Sequence, residues 1–433
     1  MTYDLLIRSA QLRGSPTLTD IGILGGRIAT IAPGLDGKGA QVIDAEGRLV
    51  VPGFVDSHVH IGKSFYGRET GRWDYAATEW APEGLQERYR RRSKSAMADY
   101  EMRAENVVPI LKTWAWKEAY TVEDVARRIG DVLTLALANG VTASRMFIDV
   151  DSFAGLVELE GAFEAKRRFE GMMRLQICAF PQEGLDADPE TARLMRQAME
   201  MGVDVVGGLP WIEWTDELCR RHIDFVFELA REFDKPLHFL CDDAKSPMAR
   251  TLEQVAAKTL QTGWYGRVAS SHNGALSSYP DAHAYKVMNL VRNAEMNISC
   301  NSQVNLLGAI TRVHELVDLG VNVSIGQDDV DNFYYPFGRC DPLEWAWSMA
   351  HAGSFAYPRG IEQVFDMITV NGARTLGLAD YGLEEGKRAD LVVLDCRHPH
   401  DAIQFQVDRR HVISGGRRVA GTTRETWVAS PDA

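Results

Sequence analysis

Hydrophobic and polar positions follow three successive patterns along the chain. From residue 3 to 50, the short apolar runs YDLLIRSAQL, DIGILGGRIATIA and AQVIDAEGRLVVPG are separated by turn residues, with Gly25-Gly26 placed as a hairpin turn. This predicts antiparallel strands. After Pro52-Gly53, strand-like runs alternate with helical stretches, as in TASRMFIDV, MRLQICAF, VDVVGGL, KPLHFLC, RVASSH, NISCN and VNVSIGQDD. Strands that alternate with helices imply a parallel sheet. From Tyr381 onward β-like runs return in ADLVVLD and HVISGGRRVAG, so the end of the chain is expected to rejoin the first strands in one small sheet domain.

The expected fold is therefore of the α/β class: a (β/α)8 barrel over residues 53–377, with a small β-sandwich built from residues 1–52 and 378–433. Several of the central strands end in polar groups, namely Asp149, Gln182, Asp242, His272, Asn301 and Asp328. Barrel enzymes carry their chemistry at those carboxyl ends. A segment at 65–118 is longer than a barrel loop requires and holds Trp73, Tyr75, Trp80, Tyr89, Tyr100, Trp114 and Trp116. These aromatics either cap the site or pack an inserted helical pair onto the barrel.

Composition narrows the function classes. A chain of 433 residues is too long for one compact core and suits a large barrel plus a companion. Its net charge of −13 disfavours nucleic acid and anionic lipid as partners, and the one dense basic run, Arg88 to Lys94, reads as a solvated helix face. The start MTYDLLIRSA has no signal-peptide pattern and no run of about 18 apolar residues occurs, so a cytoplasmic location without membrane partners is expected. Six scattered cysteines without a CxxC pair point to reduced thiols.

The strongest chemical signal is VPGFVDSHVH. Alternate residues of a strand share a face, so His58 and His60 can meet one cation. The pair is weak alone but follows a Pro-Gly break and opens the first barrel strand. In SIGQDDV, Asp328 closes an apolar strand, where it serves as metal ligand or proton acceptor, or else as a turn aspartate. His272 at the end of RVASSH is placed to stabilise charge on an attacked carbon, or is a satisfied loop histidine. In KPLHFLCDD, His238, Leu240 and Asp242 should share one face, with Cys241 and Asp243 on the other.

Taken as a set, GGRIATI, VIDAEGRLVVPGFVDSHVH, His272, Asp328 and TVNGARTLGL with GLEEGKRADLVVLD resemble the amidohydrolase superfamily over nearly the whole chain. The segments CAFPQEG, GVDVVGGLPWIEW, RVASSH and VSIGQDDVDNFYYPFG are similar to its cytosine deaminase branch. The resemblance implies one divalent metal ion per chain, held by His58, His60, a histidine on the fifth strand and Asp328. His272 and Asp328 would also polarise and deprotonate the water. Zinc suits such ligands foremost, and iron, cobalt and manganese also fit. Gln182 matches the branch's contact to a substrate amide, and Lys63 and Trp211 are further candidate substrate contacts. Binuclear relatives carry a carboxylated lysine on strand four; TASRMFIDV, taken as that strand, has none, which favours one metal.

The chain departs from the branch on strand five. An ungapped match to its His-x-x-Glu places Leu240 and Asp243 at those positions. His238 is then the third imidazole after a strand slip, or fewer protein ligands hold the metal, with Asp242 or Asp243 as proton shuttle. Trp211 stands where a polar ring-binding residue is expected, which puts cytosine itself in doubt. The expected activity is hydrolysis of a C–N bond in a nitrogen heterocycle or amide-like small molecule. The alternatives are a carbamate, thiocarbamate, urea or lactam hydrolase, and an inactive scaffold. Homo-oligomerisation is left open.

Overall fold

The computed structural model describes residues 2–66, 68, 84, 87, 113–301 and 310–429. The basic run 88–94 and the aromatics Trp73, Tyr75, Trp80, Tyr89 and Tyr100 lie outside them. Strands β1 (Thr2–Ala10), β2 (Thr19–Leu24), β3 (Arg27–Ala32) and β4 (Lys38–Asp44) form one sheet in the order β3-β2-β1-β4. β1 runs antiparallel to β2 but parallel to β4, so this sheet is mixed where antiparallel strands were expected.

β5 (Leu49–Pro52) leaves that sheet, and the chain enters the barrel. Its strands are β6 (Phe54–His60), β7 (Val141–Asp149), β8 (Arg174–Phe180), β9 (Val205–Gly208), β10 (Leu237–Cys241), β11 (Val268–His272), β12 (Asn297–Asn301) and β13 (Asn322–Gly326). All pair in parallel and in sequence order. The short β14 (Asp328–Asp329) continues β13 and pairs with β6, which closes the ring. TASRMFIDV is thus the second barrel strand, not the fourth. The fourth, β9, reads VVGG and also lacks a lysine.

Helices on the outside bury one stripe each. The helix Val122–Ala138 is capped by Thr121, whose side chain accepts from Asp124 N, and it buries Val125, Ile129, Val132, Leu133 and Ala136 at helical spacing. Arg128 on the same helix is fully buried beneath Trp116 and Tyr120 and donates to the Gly62 and Ser64 carbonyls, which anchors the loop leaving β6. Trp114 stacks on Phe153, so the two described tryptophans of the inserted segment pack onto the barrel.

The chain then returns through β15 (Leu391–Leu394), β16 (Arg409–Ser414) and β17 (Arg417–Ala420), which join β5 in the order β17-β16-β15-β5. This sheet is covered on both faces. Leu49, Val51, Val392, Leu394 and Val412 pack on the barrel core, while Val50, Leu391, Val393 and Ile413 pack on Leu5, Ile7, Ile21 and Ile23 of the first sheet. Double burial explains why ADLVVLD is apolar without alternation.

Closure of the barrel requires a glycine. A Cβ at Gly326 would lie 2.6 Å from His58 O and 2.7 Å from His58 N, both backbone atoms that cannot move aside. Gly326→Ala is expected to cost about 1–3 kcal/mol through overpacking, read as a lower thermal unfolding midpoint, and to displace His58.

Candidate metal centre

Strand alternation puts His58 and His60 on one face of β6, and both are buried. The β14–β6 register pairs Asp328 with Val59, the residue between them, so the carboxylate arrives from the closing strand directly beside both rings. Asp328 Oδ1 lies 3.3 Å from His58 Nε2 and 3.8 Å from His60 Nε2. The ligand atoms of these three residues all fall within 4.8 Å of one another. Asp56 braces the junction, its Oδ1 accepting from His58 N at 3.2 Å and Gln327 N at 3.1 Å.

His272 approaches from β11. Its Nε2 is 3.8 Å from Asp328 Oδ1 and its Nδ1 is 3.3 Å from Asp243 Oδ1. His272 and Asp328 both adopt left-handed backbone, at φ +66° and +69°, a strained arrangement concentrated where strand ends turn into the mouth. Asn301, from β12, donates its Nδ2 to Asp328 Oδ2 at 2.8 Å and lies 2.7 Å from His272 Nδ1.

Electrostatics separate the histidines into two kinds. Burial holds His58 well below the usual histidine range, reinforced by the positive charge of His272 and Lys63. Burial and Lys63 lower His60 to about 4. Both are therefore neutral imidazoles, the form that binds a cation. Burial also disfavours a charged His272, but Asp243 and Asp328 together outweigh it and raise its pKa to about 9. Two neutral imidazoles and one carboxylate, converging and buried, fit a divalent cation.

The fifth barrel strand contributes differently from expectation. The structure does not bring His238 to the cluster: its Nε2 is 2.7 Å from Ser271 Oγ and its Nδ1 is 3.1 Å from Arg145 Nη1. Ser271 Oγ in turn meets His58 Nδ1 at 3.1 Å, so His238 supports His58 from below. Leu240 packs with Phe147 and Phe180, whose rings face His58 and His60. Asp242 turns away and caps the helix Thr251–Thr262, accepting from Thr251 N, Thr251 Oγ1 and Leu252 N at 2.6–2.9 Å. Of the two aspartates, Asp243 is the one that reaches the site.

On the opposite side Lys63 Nζ lies 3.2 Å from Gln182 Oε1 and 3.5 Å from His60 Nδ1, so these two candidate contacts meet. Trp211 packs beside Phe147, Phe180 and Leu240, and its buried Nε1–H has no acceptor among the described residues.

A profile described as the amidohydrolase family matches residues 41–141 and 70–429. The chain is 31% identical over 422 residues to the N-isopropylammelide isopropyl amidohydrolase of Pseudomonas sp. (strain ADP), covering 96% of each chain. The chain belongs to the amidohydrolase family. Among solved structures it resembles 5-methylcytosine deaminase from Klebsiella pneumoniae, at TM-score 0.85 and 28% identity over 99% of this chain and 100% of that one. N-isopropylammelide isopropylaminohydrolase from Burkholderia multivorans matches at TM-score 0.81 and 26% identity, over 96% and 98%. This amidohydrolase is accordingly a metal-dependent hydrolase of C–N bonds other than peptide bonds, and the relatives it matches act on small molecules.

Sequence reasoning passed over three site groups. Asn301 and Asp149 were visible only as polar strand ends, and Lys117 carried no local signal at all. Lys117 is fully buried, with Nζ 2.6 Å from both Asp149 Oδ2 and Asp151 Oδ2.

The geometry separates ligand from support. His58→Ala or His60→Ala is expected to lose bound metal, by elemental analysis of the purified protein. His238→Ala is expected to keep it while melting at lower temperature, because Arg145 and Ser271 lose a buried partner. Metal loss in His238→Ala would contradict this assignment.

Proposed function

We propose that this amidohydrolase removes an exocyclic amino or alkylamino group from a planar nitrogen heterocycle, with one zinc ion per chain. The observation that carries the reading is the position of Asp328. Its Oδ1 stands within 3.8 Å of His58, His60 and His272, between the neutral ligand pair and the charged His272–Asp243 pair. His58, His60 and Asp328 would hold the metal. When bound, the ion supplies Lewis acidity that brings the pKa of water to about 7.

The protein's own groups account for the proton traffic. Asp328, steadied through Oδ2 by Asn301, accepts the proton released by the attacking water. His272, oriented through Nδ1 by Asp243, directs Nε2 at the site and stabilises negative charge as the ring carbon becomes tetrahedral. The proton that Asp328 accepts passes through the His272–Asp243 pair to the departing nitrogen, with Asp243 at the position of the branch's glutamate. Gln182, with Oε1 engaged by Lys63, offers its amide N–H to a ring carbonyl. Phe147, Phe180, Leu240 and Trp211 form an apolar wall that suits a flat ring and excludes water.

The relatives support this substrate class, since their names specify N-isopropylammelide, and one solved neighbour holds 5-fluorocytosine. All six cysteines are unpaired, which suits a reducing, cytoplasmic setting. No helix among the described residues is long and apolar enough to cross a membrane.

The test is to incubate the zinc-loaded protein with amino- and alkylamino-substituted pyrimidines and triazines, and separately with carbamates, ureas and lactams, measuring ammonia, amine and acid. Ammonia or amine from the heterocycles is the expected result. Turnover confined to the second panel would replace the reading with a carbonyl hydrolase, and none in either would favour a scaffold. Asp328→Asn is expected to lower kcat by about 10²–10⁴-fold, and Asp243→Asn to lower kcat with little change in KM.

A further inference from the structure

Beside the centre lies a group of buried charges of which the mechanism above uses only Lys63. Asp149 ends β7, with its backbone N–H donating to Glu158 Oε1 at 3.0 Å. Its Oδ2 is held by Lys117 at 2.6 Å and by Lys63 at 3.4 Å. Its Oδ1 is buried, has no hydrogen-bond partner among the described residues, and lies 3.9 Å from His60 Nδ1.

His60 turns Nε2 toward Asp328, so binding a cation through that atom leaves the ring proton on Nδ1. The structure places two groups against Nδ1, Lys63 Nζ at 3.5 Å and Asp149 Oδ1 at 3.9 Å. An ammonium has no lone pair with which to accept that proton, whereas a carboxylate oxygen does. We infer that Asp149 is a positioning residue that orients His60 through Nδ1, and that Lys117 clamps Asp149 in the place where it can do so.

The clamp comes from the inserted segment. Lys117 closes the short helical stretch 113–117, whose Trp114 is stacked on Phe153. Its ammonium bridges Asp149 and Asp151, so it fixes the end of β7 and at the same time draws Oδ2 away from His60, leaving Oδ1 to face the ring. Asp151 is an internal control: its other oxygen accepts from Phe153 N at 2.9 Å and Ala154 N at 3.1 Å, bonds that serve the loop. The inference rests on His60 being a metal ligand, and the experiment separates the two.

Metal-free protein is titrated with Co2+ and followed by its visible absorption, alongside thermal melting of the metal-free form. The unaltered protein is expected to take up one Co2+. Asp149→Asn is expected to bind about 10–100-fold more weakly, as loss of an outer partner of a ligating histidine does, with altered absorption bands. Asp151→Asn is expected to bind within about threefold of the unaltered protein even if it melts earlier. Equal binding by Asp149→Asn, or an equal loss in Asp151→Asn, would overturn the positioning role while leaving the centre intact. Failure of the unaltered protein to bind Co2+ would overturn the centre and this inference with it. Should Asp149→Asn not fold, Lys117→Met is expected to weaken binding and Lys117→Arg to restore it; identical affinities in those two variants would also overturn the clamp.

Discussion

The site depends on how the barrel closes. Seven strand pairs follow chain order, but the eighth needs β13 to break at Gln327 and resume as the two-residue β14 against β6. That break delivers Asp328 opposite Val59, and therefore between His58 and His60. Three features hold it there: Gly326, which admits the His58 backbone; Asp56, whose carboxyl accepts from both strands; and Gln327, whose Oε1 accepts from Cys340 N and Trp345 Nε1 at 2.8 and 3.0 Å. A carboxylate placed by backbone register is more rigid than one placed by a loop, and rigid placement is what a metal centre needs.

Much of this was legible because strand alternation is a strong signal. His58-x-His60 on one face, polar residues at strand ends, and the uninterrupted apolar runs of the doubly covered sheet all follow from a period of two. His238 shows where that signal ends. Alternation fixes the face of a strand but not the height at which a residue meets the barrel axis, and at about 3.3 Å per residue a shift of two positions is a whole layer. His238 does point inward, but one layer below Leu240, where Ser271 and Arg145 receive it. Alternation also stops at Asp242, whose left-handed φ of +49° sends its carboxyl to a helix terminus and leaves Asp243 facing His272.

Buried charges were the least legible part. Lys117 meets Asp149 at a sequence separation of 32, and neither residue sits in a pattern that announces the other. Burial alone would push the Asp149 carboxyl up, yet Lys117 and Lys63 hold it well below the usual range, while Glu158 beside it is raised to about 8 by burial and by Asp149. Such a group is stable only when complete, since stranding one buried partner costs about 3–5 kcal/mol. The inserted segment is thereby tied to the barrel through charge as well as through the Trp114–Phe153 stack.

Leu240 gives these observations their chemical sense. The resemblance implies an imidazole on the fifth strand, and here an aliphatic side chain stands in the apolar wall instead. Two neutral imidazoles and a carboxylate make a sparser donor set than three imidazoles and a carboxylate would. Each of the three clustered residues has a polar neighbour: Ser271 Oγ 3.1 Å from His58 Nδ1, Asp149 Oδ1 3.9 Å from His60 Nδ1, and Asn301 Nδ2 2.8 Å from Asp328 Oδ2. With the proposed cation bound, fewer protein donors would leave more room for water and substrate, and the apolar wall would lower the dielectric in which charge develops. Leu240 in place of an imidazole thus both thins the donor set and extends the apolar wall, two features that the proposed flat heterocyclic substrate would use together.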